Sequence, residues 1–129
     1  MKITILILAL VMLVGCATPP PEKVAALDYG ELPADWQQLT IDSYKRTLKD
    51  PDSAKFYFER APFKGYTRKF PFAGGGIDKA GWVIQFELNA KNSFGGYVGP
   101  QYYRVLYCPT ENMFYPINRN NHFKEEWLR

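Results

Sequence analysis

The clearest pattern of hydrophobic and polar positions lies in the middle of the chain, where the two kinds of residue alternate. The apolar positions are Trp82, Ile84, Phe86 and Leu88, and the polar residues Gln85, Glu87 and Asn89 lie on the other face. Successive side chains of a β-strand point to opposite faces, so this alternation predicts a strand with one face in the core. Shorter runs of the same period predict strands at 55–60, 101–108 and 113–117, with a weaker one at 65–70.

Apolar residues at helical spacing precede these strands, within residues 34–49. The residues that recur at this spacing are Trp36, Leu39, Tyr44 and Leu48. We expect Asp50 to cap a further short turn over 51–54, and residues 121–129 to form a short helix. A helix followed by several strands predicts an α+β fold, with an N-terminal helix packed on an antiparallel sheet of four or five strands. A small β-barrel is the alternative.

The first 15 residues carry a different pattern, a continuous apolar run after a single positive charge. Lys2 supplies the charge, and the run from Ile3 to Val14 is broken only by Thr4. As a helix, this run spans roughly 18 Å, whereas the hydrocarbon core of a bilayer is about 30 Å thick. The segment is therefore typical of a secretory signal peptide rather than a membrane-spanning helix.

The end of this run, Leu13-Val14-Gly15-Cys16, resembles a lipobox, the cleavage motif of bacterial lipoproteins. This resemblance implies that a diacylglyceryl group is attached to the Cys16 sulfur and that the chain is cut after Gly15. In Gram-negative lipoproteins, Asp after the lipidated Cys commonly retains the protein in the inner membrane. Ala17 at that position favours the outer membrane, facing the periplasm; a Gram-positive host would change this interpretation. The alternative is an ordinary signal peptide with a chance cysteine.

The chain is accordingly divided into three parts, with a signal peptide at 1–15 and a single α+β domain at 34–129. Between them, residues 16–33 are expected to comprise the lipidated cysteine and a Pro-rich tether, because Pro19-Pro20-Pro21 favours an extended polyproline II conformation. The tether would hold the domain away from the lipid headgroups. The expected attachment to the membrane is the lipid on Cys16.

Composition and charge exclude several classes of protein. A chain of 129 residues has room for one domain, and a net charge of +3 is too small to indicate nucleic-acid binding. One histidine and two cysteines do not provide a Cys/His zinc site. The chain has no nucleophile elbow, HExxH motif or P-loop, and His122 is expected to be a solvent-exposed side chain. We therefore expect a protein that is not an enzyme, with no catalytic residue, metal or cofactor.

The segment at 89–99 is expected to be a loop between two strands, because it is rich in Asn, Ser and Gly. The residues that make it a candidate recognition loop are Asn89, Lys91, Asn92, Ser93, Phe94, Gly95, Gly96 and Tyr97. They combine a cation, amides, a hydroxyl and two aromatic rings on a backbone that glycine leaves free. The alternative is that these residues only build a wide hairpin and satisfy its backbone groups locally.

This loop and the segment Leu48 to Phe56 together resemble a group of small bacterial lipoproteins of uncharacterised function. The group combines an LKDPxSAxF element with an NAKNSFGGYxG element, and both match nearly throughout. The resemblance covers about 20 residues of the chain after the signal peptide. It implies a periplasm-facing lipoprotein and carries no known activity.

Lipidation of Cys16 would leave Cys108 without a disulfide partner in the chain. Burial of Cys108 as a small apolar side chain is the favoured interpretation, and an intermolecular disulfide or a reactive thiol is the alternative. The function expected from all these features is that of a lipid-anchored accessory protein that binds an envelope protein. The alternatives are a module that binds glycan or peptidoglycan, and a lipoprotein of the inhibitor or immunity type.

Overall fold

A computed structural model describes residues 21–69, 72 and 74–117, and within them the predicted α+β fold is confirmed. The helices are α1, Pro21–Ala25, and α2, Trp36–Lys45, followed by one 3-10 turn at Pro51–Ser53. The strands are β1, Lys55–Tyr57; β2, Phe63–Arg68; β3, Ile77–Asn89; β4, Gln101–Cys108; and β5, Met113–Pro116. The predicted C-terminal helix and His122 lie outside the described residues, as do the signal peptide and Cys16.

The long strand β3 organises the sheet, in which all pairs are antiparallel. β4 pairs with one edge of β3 and β5 continues the sheet beyond β4. The short strands β1 and β2 share the other edge of β3, one at each end. The described strands do not close into a barrel, since β5 pairs with β4 alone among them.

One face of the sheet carries the main core, as the alternation in β3 predicts. Its buried residues are Ile84, Phe86, Leu88, Ala90, Val105 and Tyr107. The register Ile84↔Val105 and Phe86↔Tyr103 brings the inward side chains of two strands to this face. Trp36, Tyr44 and Leu48, from α2 and the turn after it, pack against this core. The predicted packing of the N-terminal helix on the sheet is thus confirmed.

The opposite face of the sheet is also partly apolar, which the alternation in β3 did not predict. Val83, Leu106 and Cys108 form a second buried cluster, with Phe63, Tyr115 and Ile117 packed around it. Gln85, on the face expected to be polar, is buried at 3 % exposure. Cys108 is 1 % exposed, so its favoured interpretation as a buried side chain is confirmed.

Residues 21–33, interpreted above as part of an extended tether, instead fold onto the domain. Val24 and Tyr29 are buried, and the Tyr29 hydroxyl donates a hydrogen bond of 2.9 Å to the carbonyl oxygen of Val24. The indole Nε1 of Trp82 donates to the carbonyl oxygen of Gly30 at 3.1 Å. The tether prediction is therefore wrong for this segment, because burial of Val24 and Tyr29 outweighs the local preference of the prolines. Residues 17–20 lie outside the described part of the chain.

Candidate functional site

The segments 48–56 and 89–99 meet at one end of the sheet. Asp50 caps the 3-10 turn as predicted, since its carboxylate accepts a hydrogen bond from the Ser53 amide. The Ser53 hydroxyl accepts a hydrogen bond of 2.9 Å from the Lys91 amide, and the Tyr97 hydroxyl donates to the Ser53 carbonyl at 3.3 Å. The 89–99 loop is therefore held against the turn that precedes β1.

The 89–99 loop is internally ordered by the side chain of Asn92. Its Oδ1 atom accepts hydrogen bonds from the amides of Phe94 and Gly96, at 2.9 and 3.2 Å. Backbone bonds join the same residues: the Asn92 amide donates to the Gly96 carbonyl, and the Gly95 amide donates to the Asn92 carbonyl. Gly95 has a φ of +80°, which glycine adopts without the steric cost of a side chain. The loop is thus a defined turn with a fixed tip.

This ordered turn presents its apolar side chains to solvent. Phe94 is 95 % exposed, and Tyr97 and Val98 are also exposed. Asn92, Ser93, Gly95 and Gly96 are exposed as well, whereas Asn89 and Lys91 are half-buried. Asn89 is the last residue of β3 rather than part of the loop, because it pairs with Lys55. The other candidate recognition residues lie in the loop, in which Asn92 and the glycines build the turn and Phe94 projects from it.

Two lysines flank the ring of Tyr97. The Nζ atom of Lys55 lies 4.8 Å from the ring centroid and that of Lys91 lies 5.6 Å from it, within the range of cation–π contacts. Within the described residues, neither lysine forms an ion pair. Lys55 was not among the residues singled out in the sequence, because it reaches this site only through the pairing of β1 with β3.

Two exposed tyrosines extend the site along the sheet. The register pairs Tyr57 with Glu87 and Glu87 with Tyr102, which places all three on the same face. Both tyrosines are more than half exposed. The alternation in β4 already separates Tyr102 from Tyr103, but nothing in the sequence brings Tyr57 beside it. We call the following set the loop-end surface: Lys55, Tyr57, Glu87, Lys91, Phe94, Tyr97, Val98 and Tyr102.

A separate polar cluster lies toward the other end of the sheet. Lys79 forms an ion pair of 2.6 Å with Glu111, and the Tyr115 hydroxyl donates to the same carboxylate. The hydrogen bond from Lys79 lowers the pKa of Glu111, and the bond from Tyr115 lowers it further. These contacts link β3 to the β4–β5 turn at the surface.

The thiol of Cys108 is not activated. Burial raises its pKa to about 11, so the thiolate needed for nucleophilic or metal chemistry is disfavoured. Among residues 21–69, 72 and 74–117, no group of three His, Cys, Asp or Glu side chains is placed to hold a metal ion.

Comparison with known proteins finds no matching family, no matching curated protein and no matching solved structure. Within the described part of the chain, no helix has both the length and the apolar character that crossing a bilayer requires.

Proposed function

We propose that this protein is a lipid-anchored outer-membrane lipoprotein, facing the periplasm, that binds an envelope protein as a non-enzymatic accessory factor. The observation that carries the binding proposal is Phe94, which is 95 % exposed at the tip of an ordered loop. The anchor rests on Leu13-Val14-Gly15-Cys16 and on the resemblance of the chain to small bacterial lipoproteins.

The composition of the loop-end surface favours a protein partner. Contiguous exposed apolar groups rimmed by polar residues mark interaction sites in soluble domains. Aromatic side chains dominate the binding energy of protein interfaces, and Phe94, Tyr97 and Tyr102 are all exposed here. Because hydrogen bonds through Asn92 order the loop in advance, a partner loses little affinity to the entropy of ordering it.

Lipidation is tested by replacing the cysteine that would carry the lipid. Cys16→Ser should abolish incorporation of a fatty-acid probe and leave an uncleaved precursor, because serine offers no thiol for the thioether. Cys108→Ser is the matched control and should label like the wild type. Equal labelling of wild type and Cys16→Ser would show that the anchor proposal is wrong.

Partner binding is tested with a photocrosslinking benzophenone amino acid placed at position 94 in intact cells. Phe72 is also exposed, at 88 %, and lies in the β2–β3 connection, so the same probe at position 72 is a matched control. A protein adduct specific to position 94, identified by mass spectrometry, is expected. Phe94→Ala should weaken binding of that purified protein at least thirtyfold, since truncation of a central aromatic residue costs about 2 kcal/mol or more.

The other outcomes of this crosslinking experiment discriminate between the alternatives. An adduct with peptidoglycan at position 94 would favour a glycan-binding module, and an adduct confined to a foreign toxin or enzyme would favour an inhibitor. The same protein adduct from both positions would contradict a specific site at the loop-end surface.

A further inference from the structure

The first described residues, α1, are connected to the middle of the sheet through Tyr29 and Gly30. α1 is held near Tyr29, whose hydroxyl donates to the Val24 carbonyl, and Nζ of Lys64 lies 5.3 Å from the Tyr29 ring centroid. Lys64 pairs with Trp82 in the sheet, and Trp82 itself bonds to the Gly30 carbonyl. Two contacts with the sheet, those of Tyr29 with Lys64 and of Gly30 with Trp82, therefore place the N-terminal segment at the level of Trp82.

The loop-end surface lies farther along β3, well beyond Trp82. Asn89 lies seven positions after Trp82, which at about 3.3 Å per residue corresponds to about 23 Å. The 89–99 loop continues outward from there. In the opposite direction, β3 starts at Ile77, which pairs with Arg68 of β2. The β2–β3 connection lies at this end of the sheet.

The proposed lipid anchor would be close in the chain to the first described residue, Pro21. Only four residues lie between Cys16 and Pro21, so a fully extended chain spans at most about 18 Å between them. The distance between the lipid and the domain is limited to this length, because α1 and the residues after it fold onto the domain. The lipid would therefore hold the Trp82 level of the domain close to the membrane.

We infer that the loop-end surface is the membrane-distal end of the anchored protein, and that it meets an acidic protein surface in the periplasm rather than lipid. This inference rests on the proposed lipid anchor and deepens the proposed function. The end of the sheet opposite the loop-end surface carries Phe72, an exposed apolar side chain of the kind that partitions into a lipid interface. Contact of Phe72 with the lipid interface would orient β3 away from the membrane plane and direct Phe94 away from the bilayer.

The loop-end surface carries two lysines and one carboxylate, Glu87, and this excess of positive charge favours an acidic partner. Lys55 and Lys91 both face the Tyr97 ring and, within the described residues, neither is neutralised by a carboxylate. An acidic partner would supply those carboxylates around the exposed aromatic side chains, whereas a basic surface would be repelled. The partner is thus a periplasm-facing protein whose surface accepts Phe94 and bears Asp or Glu around it.

The orientation is measured by energy transfer from a fluorophore on the protein to an acceptor-labelled phospholipid. The lipidated full chain is reconstituted in vesicles of phosphatidylethanolamine and phosphatidylglycerol, and the vesicle-bound protein is isolated by flotation. Phe94→Cys and Lys23→Cys provide the labelling sites at exposed positions, and the buried Cys108 is inaccessible to the reagent. Position 23 should show the higher transfer, corresponding to a fluorophore about 20 Å closer to the bilayer.

Two results would overturn this orientation, and they are distinguishable. Equal or higher transfer from position 94 in the floated protein would mean that the loop lies on the membrane, which overturns the orientation alone. Flotation of the Cys16→Ser variant to the same extent as the wild type would overturn the lipid anchor, and the orientation with it.

The acidity of the partner is tested in the crosslinking experiment. Combining Lys55→Glu with Lys91→Glu should lower the protein adduct at position 94 about tenfold, because the reversed charges face carboxylates. Lys55→Arg with Lys91→Arg should retain the adduct, and an unchanged melting temperature in both variants shows that the fold is intact. An adduct unaffected by charge reversal, or an adduct with lipid, would overturn this part of the inference.

Discussion

Phe86 and Phe94 are eight residues apart and occupy opposite environments. Phe86 is fully buried, and the rings of Tyr44, Phe58 and Tyr103 lie within 5.6 Å of its ring centroid. Phe94 projects from the adjoining loop into solvent. The first phenylalanine therefore belongs to the core of the domain and the second to its surface.

Phe86→Ala should lower the free energy of unfolding by about 3–5 kcal/mol, because it removes a large buried ring and leaves a cavity. Urea denaturation of the purified domain measures this change. Phe94→Ala is the matched control and should change stability by no more than about 0.5 kcal/mol. A Phe86→Ala variant as stable as the wild type would contradict the placement of the main core on this face of the sheet.

At the scale of elements, the 3-10 turn and the 89–99 loop form one unit. Ser53 contacts the loop at two points, through its hydroxyl and its carbonyl oxygen. The bonds accepted by Asn92 then fix the tip of the loop. The position of Phe94 thus depends on a hydrogen-bonded chain of residues that starts before β1.

Asn92→Ala should loosen this unit, because the amides of Phe94 and Gly96 lose their shared acceptor. Each hydrogen bond lost costs about 1 kcal/mol, so exchange of these two amides with solvent should become faster. NMR-detected hydrogen exchange resolves the individual amides. Ser93→Ala, a change at the exposed neighbouring residue, should leave the exchange rates unchanged; equal effects from both variants would show that Asn92 does not order the loop.

At the scale of the whole molecule, buried ionisable groups make the fold sensitive to alkali. Burial, with a smaller contribution from the neighbouring Tyr103, raises the pKa of Tyr44 from 10.0 to about 12. Burial likewise raises the pKa of Cys108 from 9.0 to about 11. Since both groups have a higher pKa folded than unfolded, their neutral forms favour the folded state. This stabilisation is complete below the unfolded pKa values and is lost as the pH rises through the folded ones.

The urea midpoint should therefore be constant around neutral pH and decrease between about pH 9 and 12. Tyr44→Phe should make that decrease shallower, because phenylalanine keeps the ring contacts with Phe86 and Tyr103 but cannot ionise. Midpoints measured across this range for both proteins test the prediction. Identical alkaline profiles would show that Tyr44 does not contribute to the pH dependence.

Features that neighbouring residues control are visible in the amino-acid sequence. Alternation over 82–88 predicts β3 and its core face, and the Asp50-Pro51 pair predicts the capped turn. The composition of residues 89–99 predicts the loop. In each case the deciding interactions join residues close in the chain, so that periodicity, capping and turn formation are visible in a short stretch of sequence.

Features that depend on residues distant in the chain are set by the packing of the whole domain. Residues 21–33 fold onto the domain rather than forming a tether, because their docking uses Trp82, 52 residues after Gly30. The contact between Ser53 and Lys91 joins residues 38 apart, and Tyr57 approaches Tyr102 only through β3. Burial and pairing over such separations depend on the free energy of the whole packed domain, and a local sequence pattern contains no information about which distant partner will be present.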